Sequence, residues 1–457
     1  MTTPRKTSFL LLALDAGATI VVFNLISISR RLSLDGGLIL SPLAGPLAFL
    51  VFALYLVDGY RGRTDMASLD YISLHGIAMT GAMLATLLVT YVFVPRGYEL
   101  QSSRAVIALS FLLLIPATLG YRHVLARRTE RARRLRSVLF VGDEASRQAF
   151  ASECETMRLA HPVRFVPVAS VDGVTPTSDL TLHTALTDIS SGKSPVEAIV
   201  LRESHRGLSS DVVQDLMQLY FGGVPTYTLE LFHQVYWQKI PLYRLNPTWL
   251  FQEGFQIARE PVFERLKRAS DIVLSALGLI LASPLIALAA AAIWLDDRGP
   301  VWFFQSRVGR NQRRFRLVKL RTMRADASPV PAPADLYTRD RDPRITRVGH
   351  FLRKSRLDEL PQLWNVLRGE MSLIGPRAEW DRLVADYEAR IPCYSYRHLV
   401  KPGITGWAQV NYPYGASLED TLRKLEYDLY YIRHFSFLLD ASIALKTIQI
   451  MIFGKGR

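Results

Sequence analysis

Apolar positions crowd the first 125 residues in four runs, roughly Phe9–Ile28, Leu38–Val57, Ile72–Val94 and Val106–Leu125. Each approaches the ~20 residues that a helix needs to cross ~30 Å of hydrocarbon. Pro42, Gly45 and Pro46 interrupt the second run, which makes it the weakest. The first run leads directly into three more and lacks a small-residue cleavage site, so it reads as a span and not as a cleavable signal. The pattern predicts a four-helix transmembrane region over residues 1–126. Flanking charge predicts its orientation. Arg30 and Arg31, Arg61 and Arg63, and Arg96 and Arg104 leave the early loops nearly balanced. At and beyond the end of the fourth run come Arg122, Arg127, Arg128, Arg131, Arg133, Arg134 and Arg136, a cluster expected to stay in the cytosol. A bundle that only anchors the chain needs no charge inside it, whereas a carrier would. Asp15 and His75 are the ionisable residues well inside the runs, and each could face a neighbouring helix.

The middle of the chain changes period. Val138–Val141 is a short buried-strand pattern ended by Gly142, and a helical stretch, Glu144–Leu159, follows. Phe165–Val171, Ala198–Leu201 and Thr226–Leu229 are further strand candidates between helical segments. The alternation predicts a small α/β, Rossmann-like domain over about residues 137–245. Its phosphate-binding fingerprint is broken. The turn reads Gly142-Asp143-Glu144-Ala145-Ser146-Arg147, so two glycines are missing and two acids would repel a pyrophosphate. Gly192-Lys193-Ser194 looks like a P-loop end, but position 187 is Thr. A structural or regulatory module is expected here ahead of a nucleotide site.

A third block, residues 262–457, opens with Arg265, Lys267, Arg268 and Asp271 before the apolar run Ile272–Leu295. Asp296, Asp297 and Arg298 close that run. Ser283 and Pro284 stand at its centre, where proline removes a donor and bends a helix. A bent helix can enter and leave on one face, so residues 272–295 are expected to be re-entrant. A plain fifth span is the alternative. Eight basic residues then fall within eighteen positions that hold no acid: Arg307, Arg310, Arg313, Arg314, Arg316, Lys319, Arg321 and Arg324. Leu317–Thr322 alternates like a half-exposed strand. Such a face is either simply solvated or suited to lipid headgroups and diphosphates.

A second basic group, Arg344, Arg347, Arg353, Lys354 and Arg356, leads into Leu357-Asp358-Glu359-Leu360-Pro361-Gln362. Pro361 fits the first position of a helix and Gly369 the position just past its end. Asp358 and Glu359 would lie at the helix mouth. One carboxylate there can attack phosphorus, and the pair can hold Mg²⁺. The plainer reading is two acids favoured by the helix dipole. At the carboxyl end, Phe435–Phe453 mixes apolar residues with Asp440 and Lys446, which fits either a helix lying on a membrane or a core helix.

Composition narrows the classes. The chain has 457 residues, a 49% hydrophobic fraction and a mean hydropathy of +0.14, which excludes a disordered or a soluble single-domain protein. Its net charge of +14 suits polyanions: nucleic acid, anionic lipid or phosphorylated substrates. Cys154 and Cys393 make no disulfide framework and match no zinc spacing, which points to a reducing compartment.

Eight motifs in order carry a resemblance. They are Lys267-Arg268-x-x-Asp271, Gly299-Pro300-Val301, Gln305-x-Arg307-Val308-Gly309, Lys319-Leu320-Arg321-Thr322-Met323, Asp342-Pro343-Arg344-Ile345-Thr346, Leu357-Asp358-Glu359-Leu360-Pro361-Gln362, Gly375-Pro376-Arg377 and Lys401-Pro402-Gly403-Ile404-Thr405-Gly406-Trp407-Ala408-Gln409-Val410-Asn411. Residues 262–457 thereby resemble the bacterial sugar transferase domain of the polyprenyl-phosphate glycosyl-1-phosphate transferases. The spans and the degenerate Rossmann-like module look like the long form that initiates exopolysaccharide, capsule or O-antigen assembly.

The resemblance implies the fold class: a membrane α-helical bundle of four spans, a small α/β Rossmann-like domain, and a mainly α monotopic catalytic domain with a re-entrant helix broken at Ser283 and Pro284. It implies transfer of a sugar-1-phosphate from a UDP-sugar, glucose or galactose first, to undecaprenyl phosphate with release of UMP. Asp358 is then the nucleophile of the Asp358–Glu359 dyad, and Mg²⁺ on the dyad assists. Arg353 and Arg377 match phosphate-binding arginines, and Lys319, Arg321, Arg307 and Gln362 are further candidates for substrate phosphate. The expected setting is the bacterial inner membrane with the site facing the cytosol, in contact with the bilayer, as a homodimer by similarity to long-form relatives, and without nucleic acid. Leu320 and Arg356 depart from the family's usual Phe and small or polar residue.

Two other readings are weighed. A membrane-anchored nucleotide-sugar dehydratase or epimerase would need the intact glycine fingerprint and a Tyr-x-x-x-Lys pair, and none of the nineteen tyrosines has Lys four residues later. A non-catalytic scaffold or regulator of polysaccharide assembly would be signalled by loss of the dyad, which is intact.

Overall fold

The computed structural model describes residues 4–30, 38–61, 64–94, 104–134, 136–157, 159, 161–167, 176–202, 209–242, 261–324, 342–413, 415 and 417–453. The chain forms two compact units, Met1–Gln238 and Lys239–Arg457.

The first unit begins with helices α1 (Pro4–Ser29), α2 (Ala44–Leu56), α3 (Leu69–Leu88, continued by a wider turn Val89–Phe93) and α4 (Arg104–Arg134). Thr7–Ser29, Leu69–Phe93 and Arg104–Arg128 are long and apolar enough to cross a membrane. The second expected span is shorter than the pattern suggested. Its α-helix has 13 residues, preceded by a tight turn at Ser41–Leu43. At 1.5 Å per residue that helix reaches only about 20 Å. Pro42 and Pro46 sit in the first turns, where a missing N–H costs nothing. The fourth helix of spanning length is Val262–Asp297, in the second unit.

Arg122 departs from the expected cytosolic cluster. It is fully buried, and its guanidinium grips Asp15 of α1 with two bonds of 2.7 Å. Tyr60 donates to the same carboxylate at 2.6 Å, and Tyr121 donates to its other oxygen. Asp15 is therefore paired inside the bundle, as intramembrane charge must be. His75 meets Thr118 at 2.8 Å across α3 and α4. Of the other basic residues used for orientation, Arg31, Arg63 and Arg96 lie outside the described residues, as do the side chains of Arg131, Arg133 and Arg134.

The rest of this unit is an α/β layer. Its elements are β1 (Ser137–Gly142), α5 (Glu144–Thr156), β2 (Val163–Pro167), α6 (Pro176–Ser190), β3 (Val196–Leu201), α7 (Ser210–Phe221), β4 (Thr226–Thr228) and the short α8 (Leu229–Phe232). The four strands are parallel in the order β2-β1-β3-β4. Successive residues of β1 serve opposite faces. Val138 and Phe140 pack with Phe150, Phe232 and Trp237, while Leu139 and Val141 pack with Leu182, Leu186 and Leu216. Burial on both sides explains why the strand reads as an unbroken apolar run. The continuation of β2 to Val171 and the domain's last residues, 243–245, lie outside the described residues. Asp143, where a phosphate-binding loop would begin, instead caps α5 by accepting the Ser146 N–H at 2.9 Å and pairs with Arg202.

The second unit starts with α9 (Pro261–Asp297), 37 residues with Pro284 inside. Proline at 284 leaves the Ile280 carbonyl without its usual donor. The Ser283 hydroxyl donates to that carbonyl at 2.8 Å, so the Ser-Pro pair repairs its own defect. An antiparallel hairpin follows, β5 (Trp302–Val308) and β6 (Arg314–Leu320). Then come α10 (Arg347–Ser355), α11 (Gln362–Arg368), β7 (Ser372–Ile374), α12 (Asp381–Arg390), β8 (Gly403–Thr405), α13 (Trp407–Asn411), α14 (Leu418–Arg433) and α15 (Phe437–Phe453). Strands β7 and β8 pair in parallel.

The core of this unit gathers Tyr387, Tyr394, Trp407, Leu425, Leu429, Tyr431 and Ile443 from the last four helices and the turn before β8. The two readings of the carboxyl end divide along α15. Asp440 and Ile443 are buried, while Met451, Ile452 and Phe453 are exposed. Lys267 of α9 pairs with Asp440, and Tyr431 donates to Asp440 at 2.8 Å, tying α15 to α9 and α14.

Candidate active site

The dyad lies on a tight turn, Leu357–Glu359, between α10 and α11. Arg356 ends α10 in the left-handed region, with φ 55°. For a residue with a Cβ that conformation costs roughly 1–2 kcal/mol. It reverses the chain and throws Asp358 and Glu359 towards the hairpin. Pro361 is the N-cap of α11, one position before the expected first helical residue, and Gly369, at φ 82°, closes the far end as the spacing predicted. The dyad thus precedes the helix mouth by one turn.

Two residues of the membrane helix brace this arrangement. Arg268 donates to the Val366 and Leu367 carbonyls, the latter at 2.6 Å, and so caps the end of α11 with positive charge. Asp271 accepts the Ser372 hydroxyl at 3.1 Å and the Leu373 N–H at 3.0 Å, anchoring β7 just before Gly375-Pro376-Arg377. Two glycines are required by contact. A Cβ on Gly349 would lie 2.0 Å from the Thr322 carbonyl oxygen, and one on Gly403 would lie 2.1 Å from the Gly375 nitrogen. The first lets α10 approach the end of β6. The second lets the Gly-Pro-Arg turn dock on β8.

The carboxylates have different surroundings. Glu359 accepts Lys319 of β6 at 2.8 Å and Arg377 at 3.0 Å, both on the same oxygen. Although burial opposes ionisation, these two cations hold its carboxyl well below the ordinary range. Asp358 is buried, with 9% exposure, and no hydrogen bond reaches its carboxylate among the described residues. Burial pushes its pKa up, Lys319 opposes that, Glu359 adds to it, and Arg353 and Arg377 oppose it. Burial also pushes Lys319 down, against the pull of the dyad. A carboxylate that accepts no hydrogen bond among the described residues stands beside one gripped through a single oxygen by two cations.

The other expected phosphate ligands fall into three groups. Arg353 projects from α10 and donates through Nε to the Thr322 hydroxyl at 2.8 Å. Its charge is felt at Asp358, which places it with Lys319 and Arg377 around the dyad. Arg307 instead donates to the Ala378 carbonyl at 3.0 Å and to Gln305. It braces the residue that follows Arg377. Arg321 pairs with Asp297 at the end of α9. Gln362 is buried, and its side-chain nitrogen has no hydrogen-bond partner among the described residues. An unmet buried donor costs about 1–3 kcal/mol, which an incoming acceptor would recover.

Sequence reasoning missed Arg397. It is buried, donates to the Arg377 carbonyl at 3.0 Å and to Asp428 at 2.8 Å, and so fixes the backbone of the phosphate arginine. Its signal was only an arginine among apolar and aromatic neighbours in Tyr394-Ser395-Tyr396-Arg397-His398-Leu399.

Among the described residues no group of three or more His, Cys, Asp or Glu side chains converges on a metal position. That excludes an all-protein cage but fits Mg²⁺, which binds through one or two carboxylates and completes its shell with water and substrate phosphate. Asp358 and the second oxygen of Glu359 are the available ligands.

Residues 262–454 match the model of the family described as bacterial sugar transferase. Among curated proteins, the UDP-N-acetylgalactosamine-undecaprenyl-phosphate N-acetylgalactosaminephosphotransferase of Aeromonas hydrophila is 46% identical over 196 residues, covering 43% of this chain and 46% of that protein. The undecaprenyl-phosphate glucose phosphotransferase of Komagataeibacter xylinus is 46% identical over 195 residues, 41% of this chain and 36% of that protein. The exopolysaccharide production protein PSS of Rhizobium leguminosarum bv. phaseoli is 40% identical over 197 residues, 42% of this chain and 98% of that protein. The match spans less than half the length of the first two relatives and nearly all of the third.

Proposed function

We propose an activity for this chain, which belongs to the bacterial sugar transferase family: transfer of a sugar-1-phosphate from a UDP-sugar to undecaprenyl phosphate, with release of UMP. The observation that carries the reading is the asymmetry of the dyad. Glu359 is held ionised by Lys319 and Arg377, while Asp358 keeps its oxygens open within the field of three cations.

An Asp358 oxygen attacks the phosphorus that bears the sugar. The bond from that phosphorus to the bridging oxygen breaks, and UMP leaves with the bridging oxygen and its electron pair. The phosphosugar is then esterified to Asp358. An oxygen of undecaprenyl phosphate attacks the same phosphorus, the acyl-phosphate bond breaks, and Asp358 is regenerated as the lipid-linked diphosphosugar departs. Splitting one displacement into two lets a single set of cations serve both. Lys319, Arg353 and Arg377 neutralise phosphate oxygens, and Gln362 offers its amide to an acceptor. Mg²⁺ held by Asp358 and Glu359 would neutralise diphosphate charge and ease departure of UMP.

The bilayer supplies the acceptor. The helix Val262–Asp297 carries Pro284 near its middle, and a proline bend there supports a re-entrant course in which both ends stay at the cytosolic face of the inner membrane. On that course the dyad meets the cytosolic nucleotide sugar and the lipid phosphate on one side. A reporter fused to the carboxyl end should read cytosol, and a periplasmic reading would make α9 a span. Relatives are named for N-acetylgalactosamine and for glucose, so the donor is sought among UDP-N-acetylgalactosamine, UDP-glucose and UDP-galactose. Purified protein with undecaprenyl phosphate, Mg²⁺ and each donor in turn should release UMP from one of them. Silence from folded protein across the panel would leave the scaffold reading.

A further inference from the structure

Asn365 lies in the middle of α11, fully buried, and its side-chain hydrogen bonds go to none of the groups proposed to touch substrate. Its side chain is spent on the neighbouring strand. Oδ1 accepts the Val318 N–H at 3.0 Å, and Nδ2 donates to the Arg316 carbonyl at 2.7 Å and to the Glu370 carboxylate at 2.7 Å. The amide takes one donor and one acceptor from the edge of β6, as a neighbouring strand would. A buried amide with this many bonds is costly to disturb, because each lost partner leaves a polar group unpaired.

The position of the contact matters more than its number. Val318 immediately precedes Lys319, whose Nζ reaches Glu359 at 2.8 Å. Asn365 lies six residues beyond Glu359. Strand β6 and the turn-plus-helix that carries the dyad therefore meet twice, once through the ion pair and once through the amide. A long lysine stem holds a charge loosely by itself, since it keeps several rotatable bonds. The amide fixes the strand's register under it. Leu317 and Val366, flanking the amide on the two elements, pack together in the same buried cluster.

We infer that Asn365 is a positioning residue: by locking β6 to α11 it sets Lys319 against Glu359 and so holds the dyad in its reactive arrangement. The inference rests on the activity proposed above. Its test is a double-variant cycle on full-length protein, with Asn365→Ala, Lys319→Ala and the pair, followed by single-turnover UMP release long enough to time slow variants. Asn365→Ala is expected to lower kcat at least tenfold while the donor KM changes less than threefold. The double variant is expected to be no slower than Lys319→Ala alone, because both changes remove the same support. A wild-type kcat in folded Asn365→Ala, a change confined to KM, or losses that multiply in the double variant would each overturn it. If Asn365→Ala does not fold, Asn365→Asp keeps the acceptor for Val318 and loses both donors, and the same cycle applies. No UMP from the wild-type protein would sink the proposed activity itself, whereas wild-type turnover with multiplying losses sinks only the role of Asn365.

Discussion

Two buried carboxylates, one in each unit, meet arginine and yet serve opposite ends. Asp15 is fully buried and saturated: Arg122 grips both of its oxygens and two tyrosines complete the set. Asp358 is buried to a similar degree, but its cations stand around it without a hydrogen bond closing its oxygens. A carboxylate whose lone pairs are all engaged can only hold helices together. One whose lone pairs are open can form a bond. Glu359 stands between the two cases: one of its oxygens is gripped by Lys319 and Arg377, and the other stays open.

Asp358→Asn should break the comparison most sharply. Removing the carboxylate proposed to attack phosphorus should slow UMP release by about 10³-fold or more, roughly 4 kcal/mol of barrier, while the protein still folds and inserts. Wild-type turnover in that variant would take Asp358 out of the mechanism. The reverse pattern is expected at the other pair. Arg122→Ala leaves Asp15 buried and uncompensated, at a cost of about 3–5 kcal/mol. Thermal unfolding in detergent should fall steeply, and turnover per folded molecule should stay near wild type. Replacing both partners, Asp15→Leu with Arg122→Met, should recover most of that stability. A double variant as unstable as the single one would mean that the pair is not a self-contained staple.

A smaller effect should follow from Glu359→Gln, which keeps the shape but removes the charge that orders Lys319 and Arg377. A loss of about 10²-fold in kcat is expected, in line with losing one electrostatic element. A loss equal to that of Asp358→Asn would blur the division of labour, and exchange kinetics of labelled UMP would show which half-reaction failed. Ser283→Ala should be the mildest change. It leaves the Ile280 carbonyl without a donor and should cost about 1 kcal/mol, read as a lower unfolding temperature with the carboxyl end still on the same side.

Much of this molecule was legible before its structure. The apolar runs announced α1, α3, α4 and α9, short buried apolar runs announced β1 and β3, and an alternating stretch announced β6. Gly369 closed α11 as expected and Pro361 fell within one residue of its expected place, because a ring without an N–H and a residue that tolerates positive φ belong at helix ends. The dyad, Arg353 and Arg377 came from motifs, and Lys319 from the basic stretch. What stayed hidden depends on partners remote in sequence. Arg122 read as one more cytosolic charge because Asp15 lies 107 residues away. That Arg307 and Arg321 also bond to Ala378 and Asp297 could not be read from a basic run, which does not say which of its members meet which partners. Asn365 and Arg397 carried only the weak signal of a polar residue in apolar company.

Local chemistry along the chain was sufficient to determine which segments are apolar enough for a bilayer, where helices start and stop, and which two adjacent acids could work on a phosphate. Those properties depend on neighbours within a few residues, through hydropathy, capping and backbone stiffness. Only the tertiary structure decided that Glu359 would be engaged and Asp358 left open. That outcome depends on β6, on the Gly-Pro-Arg turn and on the left-handed Arg356, which bring Lys319, Arg377 and the dyad within hydrogen-bonding range, and electrostatic forces between side chains act through space and not along the chain.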